Sequence, residues 1–351
     1  MKRIFHLMII VVAAMVSSCV ADKDVVKIGV ISPMTGAGAS CADYWVNGLK
    51  LAVEEINSAS DETYELIFED CQSDPAEAIS CYKRLELRGV KYVVAVGGQF
   101  AMAVAPLTKG KNILYFTSAD YNEAVLNESD CAFRVYPSAN TLAETAADYL
   151  KNTLGKENIA VITMNTVPNL AVSNALEEDF TALGGNVVFK DTYNIGQFDF
   201  KDVVNKLKTK KIDAVFLTGF GTSTYSFCNQ LSAYPQFNDV VVLGDVNLST
   251  ADFVANMANN PLTVYVADSK LAGEFEILYK ETYGDESNSL SSCSYIIPYL
   301  IKEARDSADD KDDIKSQLNY IRNRTFDTAM GDVTFDSTGN CALSMQVYRL
   351  K

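Results

Sequence analysis

The side chains that most enzymes use for acid–base chemistry are nearly absent from this sequence. The 351 residues contain one histidine, His6, which lies in a hydrophobic N-terminal segment. Without a second histidine the chain lacks histidine-based proton transfer, a Ser-His-Asp triad and imidazole metal ligands. The Cys-x-x-Cys motif, which is typical of metal and redox sites, is also absent. The sequence therefore predicts no catalytic residues, no metal ligands and no cofactor, and it favours a binding protein over an enzyme.

A glycine-rich turn indicates a different kind of chemistry. The apolar run over residues 90–96 predicts a buried strand, and Gly97-Gly98-Gln99-Phe100 leads from it into a helix predicted over 101–110. Free N–H groups and the dipole at a helix N-terminus favour an anion, so Gly98 and Gln99 are candidate ligand contacts. The same residues are equally typical of a tight turn between a strand and a helix.

The stretch from residue 27 to residue 57 has a similar arrangement. Residues 27–32 form an apolar run that predicts a buried strand, and a helix is predicted to begin near Asp43, a suitable N-cap. In doubly wound sheets, ligands bind outside the carboxyl ends of the strands. The loop from Met34 to Ala42, which includes Cys41, is therefore the first place where a ligand is expected.

Strand and helix patterns alternate along both halves of the chain. Apolar runs over 64–70 and 112–116 continue the first series, and five more lie between residues 159 and 267. Alternation of this kind predicts parallel sheets covered by helices. The length suits two domains, each able to bury a core. The expected fold class is α/β, with two doubly wound parallel-sheet lobes.

The net charge limits the classes of partner. At pH 7 the formal charge is −15. A charge of this sign and size argues against nucleic acid and against anionic membrane surfaces as partners. We interpret the acidic side chains as a solvated surface.

The N-terminus has the pattern of an export signal. Two basic residues precede an apolar stretch over residues 4–14 that is too short to span a bilayer. The segment VSSC at 16–19 resembles a bacterial lipobox, so residues 1–19 are expected to be a lipoprotein signal peptide with Cys19 as the lipidation site. An ordinary signal peptide, cleaved nearby, is the alternative. We expect an exported protein, periplasmic or on the cell surface, that contacts the membrane only through its lipid anchor.

Seven cysteines follow Cys19, and export permits disulfides. Because seven is an odd number, at least one thiol is unpaired or pairs between chains. Adjacent strands would bring Cys41 and Cys71 to the same edge of the first sheet, so we favour this pair, although connectivity cannot be deduced from the sequence.

Several segments resemble the leucine/isoleucine/valine-binding proteins of bacterial ABC transporters. Residues 32–57, SPMTGAGASCADYWVNGLKLAVEEIN, are similar to the family's S-P-x-T-G loop and G-x-x-L-A-x-x-x-I-N helix. AMAVAPL at 101–107 resembles A-x-A-x-A-P-I, and DFKDVVNKLK at 199–208 resembles D-F-x-x-x-V-x-x-L-K. FEILYKETYG at 275–284 is similar to F-x-x-x-Y-x-x-x-Y-G. The resemblance thus extends over nearly all of the mature chain.

The resemblance implies the type I periplasmic binding fold, in which three hinge crossings join two lobes. FRVYPS at 133–138 resembles the family's F-R-x-x-P-S crossing. The other two crossings are expected near Asp268 and Gly331. The expected lobes are residues 24–138 with 268–330, and residues 139–267 with 331–351.

The resemblance also implies ligand contacts in the first lobe. The family's carboxylate-binding serine falls at Gly98, so backbone N–H groups and the Gln99 amide would replace it. The family's T-P-A-A-T loop matches residues 117–121, and its threonine is replaced by Tyr121. Asp120 in this loop would repel a ligand carboxylate unless it points away.

In the second lobe the family's D-x-x-Y-G loop is replaced by residues 165–169. Phe220 corresponds to an aromatic ligand wall, but it is equally typical of a core residue at a strand end. Asp245 corresponds to the acid that binds the ligand ammonium, and helix capping is the alternative role. The expected ligand-binding residues are Cys41, Gly98, Gln99, Ala119, Asp120, Tyr121, Pro168, Phe220 and Asp245.

The function implied by the resemblance is that of an extracytoplasmic substrate-binding protein of an ABC importer. Its lobes would close on a small ligand, first of all a branched-chain or other small amino acid, and deliver it to a membrane permease. Amides, urea-like and aromatic ligands stay open. The alternative is a ligand-sensing protein for amides or related molecules that acts with a separate signalling partner. Neighbouring permease and ATPase genes would favour transport.

Overall fold

The computed structural model describes residues 25–269 and 273–350. The expected signal peptide and Cys19 lie outside these residues. No helix of the described segments is both long and apolar enough to cross a bilayer.

The first parallel sheet is built from the N-terminal part of the chain. Its strands are β1 (Val25–Ser32), β2 (Thr63–Asp70), β3 (Tyr92–Val96), β4 (Leu114–Ser118) and β5 (Ala132–Val135). They are ordered β2-β1-β3-β4-β5, and every neighbouring pair is parallel. Both faces are covered: Val94 of β3 packs into one core and Val93 into the other. Burial on both faces explains why these strands are continuous apolar runs.

Two helices of this part begin earlier than the sequence predicts, and one of them, predicted over 101–110, begins at Gly98. Helix α1 starts at Ala39 rather than near Asp43, and Gly38 is its N-cap. The Gly38 N–H donates to Oγ of Ser73 at 3.0 Å, so the loop after β2 fixes the first turn and no side-chain cap is needed. The helices are α1 (Ala39–Ala59), α2 (Pro75–Leu87), α3 (Gly98–Thr108) and α4 (Val125–Glu128).

The second sheet repeats this arrangement. Its parallel strands are β6 (Asn158–Met164), β7 (Asn186–Tyr193), β8 (Ala214–Thr218), β9 (Val241–Asp245) and β10 (Thr263–Ser269). The helices around them are α5 (Ala139–Asp148), α6 (Val167–Ala182), α7 (Lys201–Leu207), α8 (Thr222–Ser232) and α9 (Ala251–Met257). A π-helical turn, Tyr149–Thr153, extends α5, and 3₁₀ turns lie at Pro235–Phe237 and Val246–Ser249. The predicted α/β class with parallel sheets is confirmed.

The C-terminal part returns to the first sheet and then crosses back. Its elements are α10 (Gly273–Tyr283), α11 (Ser289–Asp306), α12 (Ile314–Ile321), β11 (Thr325–Thr328), β12 (Gly331–Phe335), β13 (Cys341–Ala342) and β14 (Met345–Arg349). Strands β11, β12 and β13 form a small antiparallel sheet, and β14 joins the second sheet antiparallel to β10. The lobe boundaries stay a prediction, and the pairing of β12 with β11 favours a third crossing after β13.

Arg134 holds the first crossing together. Its side chain is fully buried, and Nη1 donates to the carbonyl oxygens of Asp120, Tyr136 and Pro137 at 2.9, 2.6 and 2.8 Å. Its Nε donates to Oδ1 of Asn340 at 2.9 Å. A guanidinium has five donors in a fixed plane, so it can bridge several acceptors at once. Arg134 therefore fixes the loop after β4 relative to the crossing and to the segment before β14.

Each sheet has one point where the strand order reverses. In the first sheet the reversal lies between β1 and β3, and in the second it lies between β6 and β8. The loops that follow such strands turn to opposite faces and leave a crevice at the carboxyl ends. The structure sets these two crevices against each other.

The favoured disulfide is wrong. Cys41 and Cys71 are both free and buried, as are the other five cysteines of the described residues. The Cys41 thiol donates to Oδ1 of Asn247 at 3.3 Å, whereas Cys71 packs into the core on the other face of the first sheet. The prediction rested on both cysteines lying at the same edge of the first sheet, and this position does not show on which face of the sheet each cysteine lies.

The contact between α1 and α11 generates a test of the packing. A Cβ atom added to Gly48 would lie 2.1 Å from the backbone oxygen of Ser291, so the two helices approach as closely as glycine permits. We expect Gly48→Ala to lower the free energy of unfolding by about 1–3 kcal/mol through overpacking, despite alanine's higher helix propensity. Urea denaturation measures the free energy of unfolding of each variant. Glu54→Ala, on the exposed side of α1, should change it by less than about 0.5 kcal/mol. An unchanged Gly48→Ala midpoint would contradict this packing.

Candidate ligand site between the two sheets

A small, partly enclosed cavity lies where the two crevices meet. Its volume is about 60 Å³. The first sheet contributes the loop after β1, the start of α1, the N-terminus of α3 and the loop after β4. The second sheet contributes the loops after β6, β8 and β9. The lining residues are Pro33, Gly38, Cys41, Trp45, Gly97, Gly98, Gln99, Phe100, Ala119, Tyr121, Tyr136, Thr166, Pro168, Asn169, Phe220, Asn247 and Leu290.

Most residues selected from the sequence meet at this cavity. Seven of the nine line it, namely Cys41, Gly98, Gln99, Ala119, Tyr121, Pro168 and Phe220. The other two, Asp120 and Asp245, are fully buried in the wall behind the lining. The structure thus brings the selected residues together, and their contact with a ligand stays a prediction.

Sequence reasoning missed several lining residues. Trp45 recurs at helical spacing with the apolar residues Leu49, Ala52 and Ile56 of α1, and such periodicity does not separate a core from a ligand cleft. Asn247 follows the selected Asp245 by two residues, and Thr166 and Asn169 flank the selected Pro168. Position next to a selected residue was therefore the signal available for these three.

The N-terminus of α3 presents one free backbone donor. The N–H groups of Gly97 and Gly98 donate to the carbonyl oxygens of Ser118 and Ala119 at 3.0 and 3.1 Å. Among the described residues, the N–H of Gln99 has no such partner. An unpaired N–H at a helix N-terminus can receive a ligand oxygen, and the dipole strengthens the contact.

The loop after β4 adopts an unfavourable backbone conformation beside this donor. Ala119 has a φ of 57°, in the left-handed region that residues with a Cβ rarely adopt. Such strain persists only where the surroundings impose it, and it is common at ligand sites. Here it places Asp120 against α3 and Tyr121 against the cavity. The sequence shows no sign of this turn.

Asp120 fills the space beside Gly98. A Cβ atom added to Gly98 would lie 2.4 Å from Oδ1 of Asp120, so no larger residue fits. The Oδ1 atom accepts the N–H of Asn122 at 2.9 Å, and Oδ2 is buried with no partner among the described residues. Burial raises the pKa of Asp120 to about 6, and the Asn122 hydrogen bond and Arg134 oppose the rise.

Asp245 is the corresponding carboxyl in the second sheet. It lies at the end of β9, and its Oδ1 accepts both the N–H and the side-chain amide of Asn247, at 3.0 and 2.9 Å. It therefore caps the 3₁₀ turn, the alternative role considered for it. Its Oδ2 is buried without a partner among the described residues, although the Tyr121 hydroxyl lies near. A cap uses one carboxyl oxygen and leaves the other for a ligand.

A second carboxyl lies near Asp245. Asp268 near the end of β10 is buried, and its Oδ2 accepts the N–H of Ser289 at 3.3 Å. Burial raises the pKa of Asp268 to about 7 despite its hydrogen bonds to Ser289 and Ser269. Burial likewise raises the pKa of Asp245 to about 7, the Asn247 bonds oppose the rise, and the charge of Asp268 adds to it. A cation bound at Asp245 would offset both the burial of this carboxyl and the nearby negative charge of Asp268, and would lower the pKa of Asp245.

Contacts across the cleft close the cavity. Cys41 of α1 binds Asn247, and the hydroxyl of Tyr44, one helical turn further on, accepts the N–H of Ala251 at 2.8 Å. The Asn288 amide donates to Oγ of Ser249 at 3.3 Å. All three join the first-sheet side of the molecule to the segment after β9. These contacts would have to break for a ligand to enter.

The chemistry of the cavity is that of a binding site. No lysine, arginine or acidic residue is part of the lining within the described residues, yet Trp45 Nε1, the Tyr121 hydroxyl and Thr166 Oγ1 are buried without partners. Buried polar groups are normally paired, so these atoms indicate a polar ligand. Burial raises the pKa of Cys41 to about 12, so its thiol is not a nucleophile at neutral pH. Within residues 25–269 and 273–350, no cluster of His, Cys, Asp and Glu could hold a metal ion.

Solved structures with the same architecture come from several bacteria. The leucine-binding protein LivK of Thermotoga maritima has a TM-score of 0.82 and 23% identity, over 93% of this chain and 95% of that chain. A Rhodopseudomonas palustris solute-binding protein, solved with 4-hydroxybenzoate, has a TM-score of 0.84 and 19% identity, over 93% of each chain. These likenesses confirm the expected type I periplasmic binding fold.

Sequence relatives and a family model complete the comparison. The "Leu/Ile/Val-binding protein homolog 3" of Brucella melitensis is 24% identical over 326 residues, which are 90% of this chain and 88% of the relative. The "Leu/Ile/Val-binding protein" of Escherichia coli is 22% identical over 93% of this chain and 91% of the relative. The family model described as "Periplasmic binding protein" matches residues 25–351. The resemblance of the sequence motifs is thereby confirmed, and the chain belongs to the periplasmic binding protein family.

Proposed function

We propose that this protein is the extracytoplasmic substrate-binding protein of an ABC importer, and that it binds a compact amino acid or amino-acid derivative in the cavity between its sheets. Membership of a binding-protein family supports a binding role rather than an enzymatic one. The relatives' names supply the amino-acid class as a starting point. A membrane permease would receive the ligand.

One observation carries the proposal. The cavity has an unpaired N–H at Gln99 on one side and a carboxyl with an unpaired Oδ2 at Asp245 in the wall on the other. A buried ammonium requires a carboxylate and hydrogen bonds, and a buried oxygen requires a donor. A molecule with an ammonium group and a nearby polar oxygen would satisfy both ends at once.

The volume favours a short side chain. A protein cavity of roughly 150 Å³ holds one benzene molecule, whereas this one has about 60 Å³. The aromatic rings of Trp45, Phe100, Tyr121, Tyr136 and Phe220 occupy much of the surrounding space. We therefore place glycine- and alanine-sized compounds first, and valine or larger side chains would need the rings to move.

The export signal and the anchor belong to the same proposal. A family of periplasmic proteins functions outside the cytoplasm, which agrees with the basic and apolar pattern of residues 1–14. We propose that Cys19 carries a lipid. The folded lobes would then reach the permease without inserting into the membrane.

Binding should close the molecule. We expect glycine, alanine, valine or one of their amides to raise the melting temperature and to lower the radius of gyration in small-angle scattering, because a ligand that contacts both lobes shifts the population to the closed state. Thermal shift followed by scattering measures both effects. If no member of this panel, extended to leucine and isoleucine, changes the melting temperature, the amino-acid class is wrong.

The ammonium contact is tested at Asp245. Asp245→Asn keeps the shape and removes the charge, so the affinity for the amine ligand should fall about 100-fold or more, since breaking a buried charge pair costs about 3–5 kcal/mol. Calorimetric titration measures the affinity of each protein for the ligand. Asp239→Asn makes the same chemical change at an exposed position just before β9 and should leave the affinity unchanged. A loss below tenfold in a folded Asp245→Asn protein would exclude this contact.

The buried carboxyls also predict how stability varies with pH. The pKa values of Asp245 and Asp268 are raised to about 7, well above about 3.9 for an unfolded aspartate. Their contribution to stability is therefore complete below about pH 4 and is lost as the pH rises through 7. Without ligand, the melting temperature should rise as the pH falls from 8 to 5, and Asp245→Asn should flatten the change. If the melting temperature varied with pH by the same amount in the unmodified protein and in Asp245→Asn, the role of Asp245 in this pH dependence would be contradicted.

A further inference from the structure

The environment of the cavity is electrostatically one-sided. Within residues 25–269 and 273–350, no basic side chain is part of its lining, and three buried aspartates, 120, 245 and 268, lie in or near its wall. Arg134 is in contact with the loop after β4, but its Nη1 is occupied by three carbonyl oxygens. Among the residues that the structure describes, a ligand with a free carboxylate would find uncharged donors here and no compensating cation.

The place where a ligand carboxylate would bind is already taken. The N-terminus of α3 is the part of the lining that attracts an anion, and the Asp120 carboxyl packs against it, with Oδ1 in the space that a Cβ of Gly98 would occupy. Burial raises the pKa of Asp120 only to about 6, so the group is charged at neutral pH. A second carboxylate at Gln99 would face it at short range in a partly enclosed site, where like charges repel more strongly than in bulk water.

The unpaired atoms near α3 match a neutral group better. Gln99 lines the cavity and offers an N–H donor, and Oδ2 of Asp120, in the wall beside Gly98, is an acceptor that has no donor among the described residues. A primary carboxamide has one carbonyl oxygen and one NH₂ group, so it can accept from Gln99 and donate to Asp120 together. A carboxylate can accept only, and it would leave Oδ2 of Asp120 unpaired.

We infer that the ligand carries a carboxamide, or another neutral group that both donates and accepts, at the position where an amino acid has its carboxylate. The inference rests on the proposed function and narrows it to small amine-bearing amides. Gly98 and Asp120 together are the residues that determine this specificity: glycine leaves the space, and aspartate fills it with an acceptor. Asp245 would hold the amine at the other end.

The direct test compares matched ligands on the unmodified protein. L-Alaninamide and L-valinamide should each bind at least tenfold more tightly than L-alanine and L-valine in calorimetric titrations at pH 7.5. Equal or tighter binding of the acids would overturn the inference and leave the proposed function standing. Failure of acids, amides and isobutylamine alike would overturn both.

A variant tests whether Asp120 causes the preference for the amide over the acid. Asp120→Asn keeps an oxygen that can accept from Asn122 and removes the charge, so the acid should gain affinity and the amide-to-acid ratio should fall at least fivefold. Glu128→Gln makes the same kind of change at an exposed position of α4, just after this loop, and as the control it should leave the ratio unchanged. An unchanged ratio in folded Asp120→Asn would show that Asp120 does not determine specificity. The comparison on the unmodified protein remains decisive if this variant does not fold.

Discussion

A buried carboxyl that lacks a partner for one of its oxygens is the constraint on which the site depends. Asp245 is fully enclosed, and two donors from Asn247 occupy only its Oδ1. Enclosing a charge without full compensation is costly, and proteins normally neutralise or pair it. The arrangement is stable to the extent that the group takes up a proton or a ligand cation. Under the proposed function, the closed form and an amine ligand would therefore stabilise each other.

The fold supplies the means to close on such a ligand. The order of each sheet reverses once, and the loops after β1, β3, β6 and β8 form opposing walls. Asn247 connects the walls, because it donates to Asp245 and accepts from Cys41 across the cleft. A cation at Asp245 would thus act on the residue that joins α1 to the second sheet. Arg134 joins the loop after β4 to the first crossing between the sheets.

The sequence was sufficient for the architecture and for much of the lining. Apolar runs located the buried strands because both sheet faces are covered, as the alternation of Val93 and Val94 shows. The sequence was insufficient for features that depend on contacts between distant segments of the chain. Ser73 sets the start of α1, Cys41 lies on a different face from Cys71, and the left-handed Ala119 turns Asp120 against Gly98. Periodicity gave Trp45 a core position, since a closed cleft is as apolar as a core.

The ionisation of Asp245 tests the central claim most directly. Carbon-13 NMR of aspartate-labelled protein, with the resonance assigned through Asp245→Asn, follows this carboxyl as the pH changes. The account predicts a pKa near 7 without ligand, because burial outweighs the Asn247 hydrogen bonds. With the tightest-binding amine present, the pKa of Asp245 should fall by two or more units. This shift corresponds to a roughly 100-fold lower affinity of the carboxyl for a proton. A pKa that is the same with and without bound ligand would show that the ligand cation is not at Asp245.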